Sequence, residues 1–264
     1  LGNYCLVMYV TPLSPSGLCG QGLDCAARVG MPGYHGAFPA RWAAAMTSSA
    51  LSIDFVSDVS CPWCAIGLQS LDQALQRLPA DVAVTLRFQP FELNPRMAAA
   101  GQDIGEHLQE KYGLTPEQVR QNHDAIAARG AALGFVFGSA RRRIYNTFDA
   151  HRLLHWAAVC GMPGAQKALK QALLKAYFTD GLNPSDHEVL VRLAADAGLD
   201  GDQARQVLDS DAYADEVRTQ AQFWQANGIR SVPSVIVNGR HLIQGGQPPE
   251  VFEQALRQIL AEPA

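Results

Sequence analysis

The chain contains two cysteines, Cys61 and Cys64, that are separated by Pro62 and Trp63 and could exchange disulfides. Residues 51–56 have the composition of a β-strand, and apolar residues recur at helical spacing after the motif. The pair is therefore predicted to lie where a strand turns into a helix. Free backbone N–H groups and the helix dipole favour an anion at that point, and a thiolate is the reactive form of cysteine.

The two cysteines are predicted to have different roles. Cys61 lies at the first turn of the helix and is the predicted nucleophile. Cys64 lies one turn later, where a more buried thiol could attack a mixed disulfide on Cys61 and release the partner. Pro62 suits the first helical position, where its missing N–H costs nothing, and it stiffens the loop between the sulfur atoms. Trp63 is predicted to be partly exposed and to offer an apolar platform to a substrate.

Two other interpretations of the cysteine pair are weaker. A Cys-x-x-Cys sequence can be half of a zinc site, but no second pair at the required spacing follows. His151 and His155 are four residues apart on one predicted helix face, yet no further ligand completes a site, so no metal is expected. Two inert structural cysteines are the other alternative, which the change from strand to helix disfavours.

A second signature lies far downstream, where Val232 and Pro233 precede two apolar runs joined by Asn238 and Gly239. An Asn-Gly pair between apolar runs is typical of a tight β-hairpin. Pro233 opens the first strand of this hairpin, a position where proline is tolerated and where a cis peptide bond can occur.

With these motifs the sequence resembles DsbA-like thiol–disulfide oxidoreductases, specifically the FrnE-type group. The resemblance covers most of the chain from residue 51 onward, and it is carried by residues 57–64, 91–95, 146–152 and 231–233. It implies a thioredoxin fold of the α/β class, in which a cis-proline loop faces the cysteine pair. The same superfamily contains 2-hydroxychromene-2-carboxylate isomerases and kappa-class glutathione transferases, which typically carry serine at the position of Cys61. Retention of both cysteines favours redox chemistry.

The resemblance also implies substrate contacts around the pair. Pro233 and the backbone of Val232 would position an extended substrate chain beside the cysteines. Asn146 and Arg152 would line the cleft opposite them, and Phe91 belongs to the same set of predicted contacts. For Asn146, a purely structural role at the start of a helix is equally compatible with the sequence.

Nearby charged residues allow two interpretations each. Asp54, in the first strand, is predicted to lie beneath the redox helix, where it would shift thiol pKa values and accept the proton of Cys64. Its alternative is a polar residue on a solvated strand face. Asp58 is predicted to accept hydrogen bonds from local backbone in a turn. The arginines at 141–143 suggest a solvated basic turn, with binding of an anion such as glutathione as the alternative.

The predicted organisation is a thioredoxin-like domain interrupted by an all-helical insertion domain. Residues 51–95 and 211–264 form the thioredoxin-like domain, and residues 96–210, with several helical patterns and no convincing strand, form the insertion. Residues 1–45 lack the basic start and apolar core of a secretory signal. They are predicted to be a leader or a non-native extension outside the fold, with a secondary redox pair of Cys19 and Cys25 as an alternative.

The bulk properties limit the partners. The chain has 264 residues, six cysteines and a formal net charge of −4, which argues against a nucleic-acid partner. No apolar stretch approaches the length of a membrane span, so no membrane partner is expected. Cys160 is predicted to be buried and inert. Without a disulfide-dense pattern or a signal, a reducing cytoplasm is the predicted compartment.

The predicted function is therefore that of a thiol–disulfide oxidoreductase or isomerase acting on protein or small-molecule thiols and disulfides. No bound cofactor is expected, glutathione is a candidate redox partner, and the chain is expected to be a monomer or homodimer. One alternative is a glutathione-dependent isomerase or transferase in which Cys61 stabilises the glutathione thiolate. Another is a non-catalytic, redox-gated binding or chaperone module that uses the helical insertion.

Overall fold

The computed structural model describes residues 11–12, 50–159 and 162–262. Its elements, in chain order, are β1 (Thr11–Pro12), β2 (Ala50–Ser57), α1 (Pro62–Gln76), β3 (Ala83–Pro90), β4 (Gln102–Asp103), α2 (Ile104–Tyr112), α3 (Pro116–Ala132), β5 (Arg143–Ile144), α4 (Phe148–Val159), α5 (Ala165–Phe178), α6 (His187–Asp196), α7 (Gly201–Leu208), α8 (Ala214–Ala226), β6 (Ser234–Val237), β7 (His241–Gln244) and α9 (Pro249–Ala261).

A mixed sheet forms the centre of the molecule, with the strand order β1-β7-β6-β2-β3. β2 and β3 run parallel and are connected by α1, while β6 pairs antiparallel with β2 and β7 antiparallel with β6. A parallel pair needs a crossover connection, and here the crossover is the helix that begins at the cysteine motif. A βαβ unit followed by a hairpin and a final helix is the predicted thioredoxin fold.

The hairpin between β6 and β7 turns at the Asn-Gly pair, as the sequence predicts. Asn238 and Gly239 both have positive φ, 53° and 65°. Two consecutive residues in this region match the twist of a two-residue hairpin, and asparagine and glycine tolerate it best. The Val232–Pro233 peptide bond, just before β6, is cis.

Two large apolar clusters meet at the cysteine motif. In the first, α1 and α9 pack on one face of the sheet, with Phe55, Leu68 and Phe252 fully buried. The second lies among α4, α5, α6 and α7. Val59, in the turn between β2 and α1, belongs to this second cluster. The turn that carries the motif is therefore held on one side by the sheet and on the other by the helical region.

The helical region differs from the sequence analysis in two details. We predicted no strand between residues 95 and 210, but β4 and β5 pair there through Gln102 with Ile144 and Asp103 with Arg143. Strands of two residues are too short to produce a hydrophobic period. We also did not predict α2, which the side chain of Asp103 caps at its start. A capping box of Thr115 and Gln118 starts α3.

The predicted domain boundaries stay predictions. Of residues 1–45, only Thr11 and Pro12 are described, and they pair with Leu242 and His241 at the edge of the sheet. The other residues of this segment, including Cys19 and Cys25, lie outside the described residues, as does Cys160. Within the described part of the chain, no helix combines the length and apolar character that crossing a bilayer requires.

Gly67 allows α1 to approach the proline loop closely. A methyl group at Gly67 would lie 2.9 Å from Cγ of Pro233 and 3.4 Å from Cα of Gly246. Carbon atoms normally lie about 3.5–4.0 Å apart. Contact between the redox helix and the proline loop therefore depends on the absence of a side chain at this position.

We predict that Gly67→Ala lowers the free energy of unfolding by about 1–2 kcal/mol in total, because overpacking against a proline ring and a backbone atom, which cannot rotate away, costs about 2–3 kcal/mol. Alanine favours a helix over glycine by only about 1 kcal/mol, which is too little to reverse the effect. Urea unfolding would measure the change. Gly201→Ala in α7 is the matched control, because its methyl group would lie 3.7 Å from Cβ of Ala195 and should leave stability equal or slightly higher. An unaltered stability of Gly67→Ala would contradict the packing argument.

Candidate active site

The two cysteines lie at the start of α1, as the sequence predicts. Cys61 occupies the N-cap position and Pro62 opens the helix. The backbone N–H of Cys61 donates to the carbonyl of Asp58 (3.3 Å), and that of Cys64 donates to the carbonyl of Cys61 (3.0 Å). Both thiols are free. Cys61 is 4% exposed and Cys64 is 0% exposed, so Cys61 is the one nearer to solvent.

The proline loop faces the cysteine pair. The Cys61 thiol donates a hydrogen bond to the carbonyl of Val232, with 3.6 Å between the sulfur and oxygen atoms. Pro233 packs over Gly67, one turn after Cys64. The structure therefore brings together Cys61, Cys64, Val232 and Pro233, which the sequence analysis had placed in one site.

Trp63 lies beside the cysteines and presents its side chain to solvent, with 40% of its surface exposed. The guanidinium carbon of Arg129, from α3, lies 5.5 Å from the centre of its ring. Arg129 also donates to the carbonyl of Gly246 (3.0 Å), in the loop after β7. This hydrogen bond holds the guanidinium in place over the Trp63 ring. The predicted apolar platform thus has a cation beside it, which the sequence analysis did not anticipate.

The environment of Cys64 disfavours its thiolate. Burial raises the pKa of Cys64 well above the value of a free thiol, and a hydrogen bond with Cys61 raises it further. The positive charge of Lys170 and a hydrogen bond from the backbone of Asp58 act in the opposite direction. A buried thiol of this kind needs a proton acceptor before it can act as a nucleophile.

Asp58 is the carboxylate that lies near the cysteines. Its side chain is buried, and its oxygen atoms accept backbone N–H groups of Ser60 (2.9 Å) and Leu93 (2.6 Å). The first of these is the local turn contact that the sequence predicts. Nε2 of His151 lies 3.9 Å from Oδ1 of Asp58. Burial and then the charge of Lys170 lower the pKa of His151 to about 4, so its imidazole is neutral at neutral pH.

Glu92 forms an acidic group at the rim of this cluster. Burial, followed by the negative charge of Asp58, raises the pKa of Glu92 to about 7. Asp149 contributes in the same direction, and the positive charge of Arg218 opposes both. Glu92 therefore changes its protonation state near neutral pH, although its type and position in the sequence gave no sign of this.

Asp54 is paired with side chains of the neighbouring strand, which the sequence analysis did not foresee. Its two carboxylate oxygens accept from Nε and Nη2 of Arg87, each at 2.9 Å, and Oδ1 also accepts from Gln89 (2.7 Å). These contacts are made within β2 and β3. The pair with the guanidinium of Arg87 disfavours the predicted transfer of the Cys64 proton to Asp54, and that transfer stays a prediction.

Arg152 is buried inside the helical region. Its guanidinium donates to Oδ1 of Asp149 (2.8 Å), to the carbonyl of Ala212 (2.9 Å) and to the carbonyls of Val207 and Ser210. Donors held by buried carbonyls are not free for a substrate. The structure therefore gives Arg152 a packing role in place of the predicted substrate contact.

Asn146 and Phe91 also have structural contacts. The amide of Asn146 donates to the carbonyl of Met97 (3.3 Å), and its oxygen accepts the N–H of Phe148 (2.8 Å) at the start of α4. This is the helix-start role that the sequence left open. Phe91 is buried, and Val232 packs against its cluster. Phe91 thus belongs to the cluster that supports Val232 of the proline loop, and its predicted substrate contact stays a prediction.

Arg142 and Arg143 are exposed, as the predicted solvated basic turn requires, but the side chains of Arg141 and Arg143 are held by hydrogen bonds. Arg141 donates to the hydroxyl of Tyr177 (3.1 Å), and Arg143 donates to the carbonyls of Ala100 (3.0 Å) and Gly101 (2.9 Å). These contacts disfavour the anion-binding alternative. For metals, no cluster of three or more His, Cys, Asp or Glu side chains occurs in the described ranges.

Lys170 is the residue of this site that the sequence analysis missed. It lies on α5 and is wholly buried, which is rare for lysine. A sequence signal existed, because Lys170 shares a helix face with Leu173, Leu174 and Tyr177 at spacings of three, four and seven residues. A lysine on the apolar face of a helix can reach solvent at the edge of that face, or it can be buried at a functional site. The structure shows that Lys170 is buried.

Comparison with known proteins identifies the family of the chain. The family model described as the DSBA-like thioredoxin domain matches residues 52–257. The structure of a probable DsbA oxidoreductase from Streptomyces coelicolor is 36% identical, with a TM-score of 0.74 over 81% of this chain and 92% of that one.

Two more distant structures share the fold alone. The cytosolic disulfide reductase DsbM from Pseudomonas aeruginosa, solved with GSH, is 18% identical, with a TM-score of 0.55 over 80% of this chain and 100% of that one. A 2-hydroxychromene-2-carboxylate isomerase is 17% identical, with a TM-score of 0.57 over 79% of this chain and 95% of that one. The family model and the Streptomyces coelicolor structure confirm the DsbA-like family that the sequence motifs suggested, and these two structures add the shared fold.

We predict that Glu92→Gln flattens the pH dependence of stability. The folded state binds the Glu92 proton more tightly than the unfolded chain, so this group favours folding below its ordinary pKa of 4.5, and the contribution is lost as the pH rises through about 7. Glutamine does not ionise, so the variant lacks this loss of stability at higher pH. Urea unfolding at about pH 5 and about pH 8 should show a smaller difference between the two pH values than in the wild type. The exposed Glu216→Gln is the control and should behave like the wild type; an equal difference in Glu92→Gln would refute the assignment.

Proposed function

This chain belongs to the DSBA-like thioredoxin domain family, and we propose that its Cys61–Cys64 pair cycles between dithiol and disulfide to oxidise, reduce or rearrange the disulfides of its substrates. One observation carries the proposal most directly. Two free thiols begin one helix and both are buried, but Cys61 keeps 4% of its surface exposed and faces the proline loop, whereas Cys64 is fully enclosed, which suits an attacking and a resolving sulfur.

Cys61 is the proposed nucleophile. Its sulfur lies at the N-terminus of α1, where the unpaired N–H groups of the first turn favour negative charge. It is also the sulfur that faces the proline loop, through the carbonyl of Val232. A substrate that approaches along this loop meets Cys61 before Cys64, because the side chain of Cys64 is enclosed.

The exchange proceeds in two balanced steps. The Cys61 thiolate attacks one sulfur of a substrate disulfide, a Cys61–substrate bond forms, and the other substrate sulfur leaves with the electron pair. Cys64 then loses its proton and attacks the Cys61 sulfur, which breaks the mixed disulfide and releases the second substrate thiolate. The substrate is reduced and the cysteine pair is oxidised by two electrons. The reverse sequence oxidises a substrate dithiol.

Protein and small-molecule thiols or disulfides are the proposed substrates, with glutathione as a redox partner. The exposed platform of Trp63 and the half-buried Val232 of the proline loop lie beside the Cys61 sulfur, which suits a short extended segment of chain. The guanidinium of Arg129 beside Trp63 would favour a substrate with a carboxylate near its sulfur, as glutathione has. The solved DsbM structure with GSH is consistent with this chemistry. The proposed compartment is the reducing cytoplasm, as the cysteine usage suggests.

We predict that Cys64→Ala stalls the exchange at the mixed disulfide. In a single turnover, the reduced wild-type chain should release the dithiol form of a peptide disulfide. Cys64→Ala should instead accumulate a covalent adduct on Cys61 and release dithiol peptide at least about tenfold more slowly, because no resolving thiol is present. Mass spectrometry after acid quenching would measure both species.

Cys61→Ser is the matched control and should form no adduct. Release of the dithiol peptide by Cys64→Ala at the wild-type rate would contradict the proposal. The same variant separates the alternatives, because glutathione addition or a binding module does not need Cys64 and should survive its loss.

A further inference from the structure

Lys170 has an environment that packing alone does not explain. Its side chain is wholly buried on α5, and its Nζ atom has no hydrogen-bond partner among the described residues. Burying an ammonium group without a partner is costly, so such a lysine tends towards its neutral amine. Burial lowers the pKa of Lys170 in this way. A neutral amine is a base with a free lone pair.

The groups around Lys170 identify what this base can act on. Cys64, Asp58 and Cys61 each raise its pKa, in that order of strength. In return, Lys170 lowers the pKa of the Cys64 thiol and of the His151 imidazole when it carries its proton and positive charge. The packing agrees with this, because Gln171, next to Lys170 on α5, donates to Oδ2 of Asp72 on the redox helix (2.9 Å), and Lys170 lines one cavity with His151 of α4. Among the charged or ionisable groups, Cys64 is the strongest electrostatic partner of Lys170.

The two nearby carboxylates are less suited to receive the proton of Cys64. Asp54 is held by Arg87 along the sheet. Both oxygens of Asp58 already accept backbone hydrogen bonds, from Ser60 and Leu93. Of the charged groups around Cys64, this leaves the amine of Lys170 as the free acceptor.

A small cavity connects this region with the surface. Its volume is about 10 Å³, and its lining includes Lys170, His151, Gln89, His155 and Gln220. This is close to the space that one water molecule needs, and the polar lining gives such a molecule hydrogen-bond partners. Nε2 of His151 is buried without a hydrogen-bond partner, whereas His155 and Gln220 are half-buried. The cavity thus leads from the buried amine towards solvent.

We propose that Lys170 accepts the proton that Cys64 loses when it resolves the mixed disulfide, and that His151 and the cavity beside it conduct this proton to the surface. The inference rests on the proposed exchange function. The S–H bond of Cys64 breaks and its proton binds the Lys170 amine. The Cys64 thiolate attacks Cys61, a Cys61–Cys64 bond replaces the Cys61–substrate bond, and the substrate leaves as a thiolate with the electron pair. Lys170 then returns to the amine by releasing its proton through the cavity.

The test separates the two steps with dithiobis-nitrobenzoate, a small aromatic disulfide. Attack by Cys61 on this reagent releases one coloured thionitrobenzoate, and resolution by Cys64 releases a second. In stopped-flow absorbance, the resolution step is the phase that Cys64→Ala lacks. Following both phases across pH in the full-length chain gives a pH profile for each step.

Lys170→Met is expected to slow the resolution phase by about 100-fold near neutral pH, the usual size of a lost proton acceptor. Its rate should then rise about tenfold for each pH unit, because only hydroxide remains to take the proton. The first phase should change far less. His151→Gln should slow resolution by a smaller factor. Lys175→Met is the control on the same helix, since Lys175 is exposed and pairs only with Asp180, and it should leave both phases unchanged.

Wild-type resolution kinetics and pH profile in Lys170→Met would overturn the proposal, as would an equal slowing of both phases, which indicates a structural role. If Lys170→Met does not fold, the test uses His151→Gln instead. A resolution phase with the wild-type pH profile in His151→Gln would then overturn the proposed proton path. A wild-type chain without the first phase would instead refute the exchange function itself, so the two failures can be distinguished.

Discussion

The burial of the Cys64 thiol is the constraint on which the rest of the site depends. A thiol without access to water resists ionisation, so the second step of exchange is slow unless the protein supplies charge and a proton acceptor nearby. Here Lys170 on α5 is the proposed acceptor, and its positive charge favours the Cys64 thiolate once it holds the proton; Asp58 and His151 lie in the same buried polar group. The same burial protects Cys64 from substrates, which leaves Cys61 as the sulfur that they meet.

This arrangement explains why the helical region packs directly on the redox helix. Val59 inserts into the helical cluster, while α1 packs on the sheet. The turn between β2 and α1 therefore belongs to both cores, and neither core alone would bury the thiol and the lysine together. On this view the inserted helices contribute to the chemistry as well as to the shape of the molecule. Gly67 adds a further requirement, because it lets α1 contact the proline loop.

Local patterns in the sequence predicted the elements well, whereas long-range contacts were harder. The strand before Cys61, the helix after it and the Asn-Gly hairpin each follow from neighbouring residues. The partners of Asp54 could not be predicted in this way, because a carboxylate in a strand gives no sign of which neighbouring strand supplies an arginine. Arg152 was misassigned for a similar reason, since its carbonyl partners lie more than 50 residues away in the chain. Lys170 could be assigned to the site only from the packing of α5 near the cysteine motif, which the sequence does not reveal.

The most direct test of the central claim is a redox titration of the cysteine pair in glutathione buffers, with the two states separated by thiol alkylation and mass spectrometry. The account predicts one reversible transition in which Cys61 and Cys64 change together, and which Cys61→Ser abolishes. A midpoint above about −200 mV would indicate an oxidant or isomerase, and one near about −270 mV a reductant. Thiols that stay reduced across the whole range, or that become oxidised independently of one another, would contradict the assignment of this pair as the redox centre.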